Sequence, residues 1–287
     1  MSSVEHETGE SAPKRLRPGK AESKAVRQNY FKQAIKPGPG QRRQIGLWAG
    51  LRSSLVAEML ATVSGMDWLL IDMEHGPNEI VDVLHQLQAA QYGHAEPIVR
   101  VPWNEPVIVK RVLDLGCQSL LFPYVNTAEE ARQAVAATRY PPEGVRGVMS
   151  LARMNNFGAA NPHYYREAAG QICVIVQIET AQAVENIEAI AAVDGVDALF
   201  VGPSDLAASL GHIGNPGHPD VSNKIDEAFR RIAATGKAAG FLSADHAACK
   251  RVLKLGCTFV AVGSDMQMLS KAATAAATDF HAFSSEL

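Results

Sequence analysis

Four short stretches of this 287-residue chain concentrate side chains capable of acid–base, metal and anion chemistry. They are Asp72-Met73-Glu74-His75-Gly76-Pro77, Arg100, Gln177-Ile178-Glu179 and Gly202-Pro203-Ser204-Asp205. Glu179 and Asp205 lie about one βα unit apart, so on adjacent strands, roughly 4.8 Å from each other, both carboxylates could reach one cation. Two ionised carboxylates alone would repel, so either one keeps its proton or a divalent metal binds between them. Two protein oxygens with no His or Cys nearby leave positions for water and substrate, which suits Mg²⁺ or Mn²⁺ better than zinc. The same two residues could instead cap helices beginning near Thr180 and Leu206, and spacing alone leaves both readings open. His75 takes its case from company: Asp72 and Glu74 precede it, and Arg100 ends the next apolar run. Arg100 reads as an anchor for a carboxylate or enolate, or as the ion-pair partner of a neighbouring acid.

The elements that must position these groups are legible as alternation. Eight apolar runs of strand length, Ile45–Trp48, Trp68–Ile71, Pro97–Arg100, Leu120–Phe122, Cys173–Val176, Ala198–Val201, Gly240–Leu242 and Phe259–Val262, are separated by longer segments, many with helical period. Amphipathic helices are expected at Pro106–Leu115, Ala128–Thr138, Ala181–Ala192 and Ser222–Thr235, with a short one at Ala25–Ala34. Most strand runs are apolar on both alternations, as parallel strands covered on two faces must be. The pattern predicts an α/β fold, a single (β/α)8 TIM barrel over residues 25–287. An internal echo supports the half-barrel spacing: Lys110-Arg111-Val112-Leu113-Asp114-Leu115-Gly116-Cys117 returns as Lys250-Arg251-Val252-Leu253-Lys254-Leu255-Gly256-Cys257. Each copy ends a helix with a Gly cap and leads into what should be the fourth and eighth strands. In such a barrel the working groups come from the carboxyl ends of the strands, where all four stretches fall.

Composition narrows the function classes. Lys+Arg 27 against Asp+Glu 30 gives a net charge of -3, no field for polyanions, so nucleic acid is not an expected partner. No run approaches the roughly 20 apolar residues of a membrane span, and no secretory signal opens the chain, so a cytoplasmic location is expected. Four dispersed cysteines without a CxxC read as buried small hydrophobes in a reducing compartment. Residues 1–24, rich in Ser, Glu, Lys, Arg, Pro and Gly, read as a disordered polar tail whose basic cluster Lys14-Arg15-Leu16-Arg17 is either a solvated patch or a nuclear-import or anion-binding one. No Lys falls at a strand's carboxyl end, which argues against a Schiff base, and no GxGxxG or GxxxxGK[ST] motif supports nucleotide binding. The long interval before the fifth strand carries Arg146 and Arg153, candidates for gripping a second acidic group.

Trp68 to Asn78, Pro97 to Pro102, Arg139 to Gly147, Val176 to Thr180, Val201 to Leu206 and Val260 to Asp265 together resemble the HpcH/HpaI family of metal-dependent class II pyruvate aldolases, over about Ile45 to Phe280. Asn104-Glu105-Pro106-Val107-Ile108, the Arg139-Tyr140-Pro141-Pro142-Glu143-Gly144 stretch and Val262-Gly263-Ser264-Asp265 are most similar to the 2-dehydro-3-deoxyglucarate aldolases, with the 4-hydroxy-2-oxoheptanedioate aldolases close behind. The resemblance implies that Glu179 and Asp205 bind the metal (Mg²⁺, Mn²⁺ or Co²⁺), which pyruvate chelates, and that Arg100 stabilises the enolate. It also implies that His75, oriented by an acid matching Asp114, belongs to the acid/base machinery, and that Gln177 and the Ser204 region contact pyruvate; Arg153, from the long interval before the fifth strand, is a substrate-contact candidate on its own residue type. A homohexamer built of dimers that exchange a C-terminal helix is implied too. The segment Ser150 to Phe157 copies no subgroup closely.

The expected reaction is reversible cleavage of a 4-hydroxy-2-oxo acid into pyruvate and an aldehyde such as tartronate semialdehyde. The rivals are the heptanedioate aldolase, an oxaloacetate-type decarboxylase using the same enolate chemistry, and a non-catalytic barrel whose basic tail binds a partner.

Overall fold

The computed structural model describes residues 26–160 and 163–287, so the expected tail, 1–24, lies outside the described residues. Eight strands, β1 (Gln44–Ala49), β2 (Trp68–Asp72), β3 (Glu96–Arg100), β4 (Ser119–Phe122), β5 (Cys173–Ile178), β6 (Ala198–Val201), β7 (Ala238–Leu242) and β8 (Phe259–Ser264), pair in parallel and in sequence order into a closed barrel. Every apolar run read as a strand is one. The helices are α1 (Tyr30–Ala34), α2 (Ser54–Val63), α3 (Ile80–Ala90), α4 (Pro106–Asp114), α5 (Ala128–Ala137), α6 (His163–Gln171), α7 (Ala181–Glu185), α8 (Ile187–Ala191), α9 (Pro203–Ser209), α10 (Pro219–Thr235), α11 (His246–Lys254) and α12 (Asp265–Ser284). The echoed octapeptides are the α4–β4 and α11–β8 joints, with Gly116 and Gly256 at φ 87° and 107°, left-handed caps that a side chain would resist. Cys117 and Cys257 make matching contacts there, each thiol 3.2 Å from the carbonyl two residues on.

Strand parity divides the core in two. Side chains such as Trp48, Trp68, Leu70, Ile98, Leu121, Ile175, Phe200 and Phe259 fill the barrel interior. The alternate residues, among them Leu69, Ile71, Val99, Leu120, Val174, Val176, Leu199 and Val260, pack outward beneath the helices. Glycines on the interior side make room for the rings: a Cβ on Gly46 would stand 2.2 Å from Trp68, and one on Gly240 would stand 2.3 Å from Phe259. Continuing the inward parity up each strand puts Asp72 above Leu70, Arg100 above Ile98, Gln177 above Ile175 and Gly202 above Phe200. The polar residues are thus the top layer of the same column whose lower layers are apolar.

The amino end of the barrel is plugged by α1. Phe31 inserts edge-on against Phe259 (5.4 Å between ring centres) and lies 6.0 Å from Trp68. The expected helix at Ala25–Ala34 is shorter because Asn29 takes the cap, in extended conformation (φ -89°, ψ 96°), with its amide donating to Ser119 Oγ and to the Gln118 and Gln171 carbonyls. The segment expected as one helix, Ala181–Ala192, breaks at Asn186, which sits off helical geometry (ψ 10°) and donates to the Asn126 carbonyl. Conversely α10 starts earlier than Ser222, because Pro219 suits the first helical position and His218 Nδ1 accepts the Asp220 N–H at 3.2 Å, with His212 stacked 3.6 Å from His218. At the other end Asp265 closes β8 onto β1, accepting the N–H groups of Gly50 and Leu51 at 2.9 and 3.0 Å. The four cysteines are buried and unpaired. Among the described residues no helix is long and apolar enough to cross a membrane.

Candidate active site

The carboxyl mouth of the barrel holds the charged groups that the strand ends were expected to deliver. Asp72 and Arg100 are register partners on β2 and β3, and their inward parity turns a sequence separation of 28 into a two-pronged ion pair. Arg100 Nε donates to Asp72 Oδ1 at 2.8 Å, Nη2 donates to Oδ2 at 2.7 Å, and Nη1 lies 2.7 Å from Glu74 Oε2. The guanidinium also lies 5.1 Å from the Trp48 ring, whose Nε1 donates to Asp72 Oδ2 at 3.2 Å. Arg100 is therefore an ion-pair partner of neighbouring acids and, at 6% exposed, held rigidly at the mouth. Burial would raise the Asp72 pKa, but the Arg100 hydrogen bonds and charge and the N–H groups of Glu74 and His75 outweigh it and hold Asp72 below the ordinary value. Those two N–H donors, at 3.0 and 3.4 Å, also fold the strand end so that the His75 ring stands exposed at the rim, Nε2 3.7 Å from Glu74 Oε1.

Opposite them, Glu179 follows β5 and Asp205 sits in the first turn of α9. Neither caps a helix: Thr180 caps α7 by accepting from Ala183, and Gly202 occupies the cap position of α9. Glu179, 1% exposed, accepts the Tyr124 N–H at 2.7 Å on one oxygen and the Gln177 amide on the other. Burial raises its pKa to about 8; the Tyr124 N–H and Arg100 oppose this, while the charges of Asp205 and Glu74 add to it. Glu74 is likewise raised, by burial first and then by Asp72 and Asp205, against the pull of Arg100 and His75. Four carboxylates thus share a mouth in which Arg100 supplies one fixed positive charge. A divalent cation between Glu179 and Asp205 fits this donor set, since it neutralises the charge that burial otherwise resists. Space for it is made by Gly202: a Cβ there would lie 2.7 Å from Glu179 Oε2 and 2.8 Å from Gln177 Nε2. Gln177 Oε1 is buried and accepts no hydrogen bond from the described residues, which leaves an acceptor for an incoming ligand.

Tyr124, just past β4, escaped the sequence reading. Its phenol donates to Asp205 Oδ1 at 2.9 Å, and burial together with that carboxylate pushes its pKa up to about 12. The signal that could have found it is position: it follows the fourth strand, on the same carboxyl face as the other polar strand ends. Trp103, past β3, lies 5.9 Å from Tyr124 in tilted contact. Ser204 stands in the first turn of α9, at the same rim.

Three expected residues, Asp114, Arg146 and Arg153, do not reach this mouth within the chain. Asp114 ends α4 and therefore faces the amino end of the barrel, where it accepts from Arg146 Nη2 at 2.9 Å. Arg146 in turn is buried between the rings of Tyr140 (4.7 Å) and Tyr164 (5.8 Å), so it grips Asp114 rather than a substrate. Arg153 donates to the Leu115 carbonyl at the same end of α4. Consequently Asp114 does not orient His75 in one chain; the acid tied to the His75 main chain is Asp72. Among the described residues no lysine stands at the carboxyl end of a strand; Lys237 precedes β7, at its amino end, and donates to the Val196 carbonyl at 2.6 Å.

The model of the HpcH/HpaI aldolase/citrate lyase family matches residues 44–272, that is, the barrel from β1 into α12. The chain belongs to the HpcH/HpaI family. It is 51% identical over 255 residues to a 4-hydroxy-2-oxo-heptane-1,7-dioate aldolase of Salmonella heidelberg (strain SL476), covering 88% of this chain and 95% of that one. A relative of the same name from Escherichia coli (strain ATCC 8739) is 51% identical over 256 residues, covering 89% and 96%. Among solved structures, an HpcH/HpaI aldolase/citrate lyase family protein from Burkholderia cenocepacia J2315 superposes with a TM-score of 0.83 at 42% identity, covering 88% of this chain and all of that one. This HpcH/HpaI protein is a carbon–carbon lyase of the class II pyruvate aldolase kind, a class that depends on a divalent cation and acts on small molecules. The subgroup expectation is the point of difference: the relatives just named carry the heptanedioate substrate in their names rather than 2-dehydro-3-deoxyglucarate.

Proposed function

We propose that the enzyme reversibly cleaves 4-hydroxy-2-oxoheptane-1,7-dioate to pyruvate and succinate semialdehyde, in preference to the sugar-acid cleavage that releases tartronate semialdehyde. The observation that carries the reading is the pairing of Glu179 and Asp205 at one mouth with a fixed Arg100. The half-identity to aldolases bearing that substrate's name supports this choice of substrate. Glu179 and Asp205 would hold the cation, Mg²⁺ or Mn²⁺ with Co²⁺ as a third candidate, because the donor set is all oxygen. When bound, the cation supplies Lewis acidity at the 2-oxo group.

The remaining work falls to side chains of this chain. His75, exposed at the rim, accepts the proton of the C4 hydroxyl; the C4–O bond becomes a carbonyl, the C3–C4 bond breaks, and its electron pair enters the pyruvate enolate. Arg100, locked by Asp72 and Glu74, presents a positive charge already oriented toward the developing oxyanion, so no reorganisation is needed as the charge forms. Return of the proton to C3 completes pyruvate. Gln177 and Ser204 contact the 2-oxo acid. Asp114 and Arg153 would take part only at the mouth of a neighbouring copy, since in their own chain they lie at the opposite end.

A homo-oligomer, expected as a hexamer, agrees with α12, which buries only Asp265 and exposes Met266, Leu269, Phe280 and Phe283. Four buried, unpaired cysteines agree with a cytoplasmic location. The test is pyruvate release, coupled to lactate dehydrogenase, from the heptanedioate and from 2-dehydro-3-deoxyglucarate, with chelator and with each metal. Faster metal-dependent turnover of the heptanedioate, abolished in Glu179→Ala, is expected. Equal or faster turnover of the sugar acid would overturn the substrate assignment, and pyruvate formed only from oxaloacetate would make the enzyme a decarboxylase.

A further inference from the structure

Tyr124 bonds both of the carboxylates proposed above to hold the cation, and does so through two different groups. Its main-chain N–H donates to Glu179 Oε1 at 2.7 Å and its phenol donates to Asp205 Oδ1 at 2.9 Å. Asp205 is on α9 and Glu179 follows β5, so Tyr124, just past β4, joins two carboxylates carried by different elements. The backbone of Tyr124 is left-handed, φ 51°, a conformation that a β-carbon disfavours; this turn at the end of β4 is where both donors are presented to one mouth. The ring itself is restrained by Trp103, 5.9 Å away between centroids. Each carboxylate has a second oxygen outside this clasp: Glu179 Oε2, which accepts from Gln177, and Asp205 Oδ2.

We infer that Tyr124 is a positioning residue for the cation site, fixing Glu179 by its N–H and Asp205 by its phenol, with Trp103 holding the ring in place. This rests on the reading of Glu179 and Asp205 as metal ligands. Hydrogen bonds to ligating carboxylates fix which oxygen and which lone pair faces the ion, and losing such an outer partner typically costs 10- to 100-fold in metal affinity. Tyr124→Phe keeps the ring, its contact with Trp103 and the N–H, and deletes only the phenol bond to Asp205.

The experiment is titration of metal-free, full-length protein with Mn²⁺, followed by the electron paramagnetic resonance signal of the free ion, for the wild type, Y124F, Trp103→Ala and Glu179→Gln. Y124F is expected to bind Mn²⁺ about 10-fold more weakly, with an unchanged melting temperature in chelator. Its loss of turnover should be recovered at saturating Mn²⁺, so that the metal requirement rises while kcat changes little. W103A should weaken binding less, because the phenol remains but its ring is freed. Unaltered Mn²⁺ affinity in Y124F, where E179Q has lost binding, overturns the inference. If the wild type and E179Q bind Mn²⁺ alike, the metal assignment itself fails, and with it this inference. Should Y124F prove unstable, W103A decides alone: weaker binding supports the clasp, and unchanged binding overturns it.

Discussion

Asp72 and Arg100, register partners on neighbouring strands, form a two-pronged ion pair in which both side chains are almost wholly buried. The pair is what makes Arg100 an instrument rather than a flexible cation, because rotation of the guanidinium would break two bonds and the contact with Glu74 at once. Asp72→Asn removes the charge and one of the two acceptors that face Arg100, leaving Glu74 as its ion-pair partner, and discharging one member of a buried pair is strongly unfavourable. The expected cost is about 3 kcal/mol, the low end of the range for such deletions, read as a lower urea midpoint at pH 7. Since Asp72 is held below its ordinary pKa, its contribution is present at neutral pH and is lost only as pH falls below about 3.8. The wild-type and D72N midpoints should therefore converge in strong acid.

Phe31 tests the other end of the molecule. It is 2% exposed and closes the amino end of the barrel against Trp68 and Phe259. Phe31→Ala leaves a cavity beneath the interior column, at an expected cost of about 3 kcal/mol. The site lies at the opposite end, so KM and kcat at 25 °C should stay within twofold of the wild type. A large loss of turnover in folded F31A would mean that the plug and the mouth are coupled.

How much of this was legible in the sequence follows from what each feature depends on. The strands were readable because residues such as Val174 and Ile175 must both be apolar, one facing helices and the other the interior. The mouth residues were readable because barrel topology sends every strand end to one face, so Asp72, Arg100, the Gln177–Glu179 pair and Asp205 converge from four places in the chain. What stayed hidden depends on the particular fold of a loop. Tyr124 looks like any aromatic until its left-handed turn aims both donors at two carboxylates. Asp114 looked like a member of the site because a resemblance carries residue types and not chain ends, and α4 runs away from the mouth before reaching it. Arg146 looked like an anion grip, and its burial between two tyrosines was not encoded in any local pattern.

Glu179 gives the pH-dependent prediction. Burial lifts it from 4.5 to about 8, opposed by the Tyr124 N–H and Arg100 and reinforced by Asp205 and Glu74. A carboxyl raised in the folded chain favours folding while protonated, so its contribution is complete below about pH 4.5 and lost as pH climbs through about 8. In chelator, the urea midpoint should fall between pH 5.5 and 8.5, and Glu179→Gln should flatten that fall because an amide has no proton to lose. The slope should shrink without vanishing, since Glu74 is shifted in the same direction. Equal slopes in the two proteins would show that Glu179 is not the group being titrated.

Gly202 separates the cost of space from the cost of conformation. Its φ of -94° is one that any residue adopts, so a substitution there introduces no backbone strain. Yet a Cβ at this position would stand 2.7 Å from Glu179 Oε2 and 2.8 Å from Gln177 Nε2, closer than side-chain atoms approach without something moving. Glu179 is restrained on its other oxygen by the Tyr124 N–H, so the displacement must turn its carboxylate or push aside the Gln177 amide. Either movement disturbs the groups proposed to hold the cation and the 2-oxo acid. Gly202→Ala is therefore expected to weaken Mn²⁺ binding at least about tenfold, the scale of losing a ligand's outer partner. Because the clash is with side chains alone, the strands beneath should keep their register, and circular dichroism of the metal-free protein should match the wild type. A variant that binds Mn²⁺ normally would mean that the mouth relaxes around the methyl group and that the close approach of β6 to Glu179 is not what sets the site.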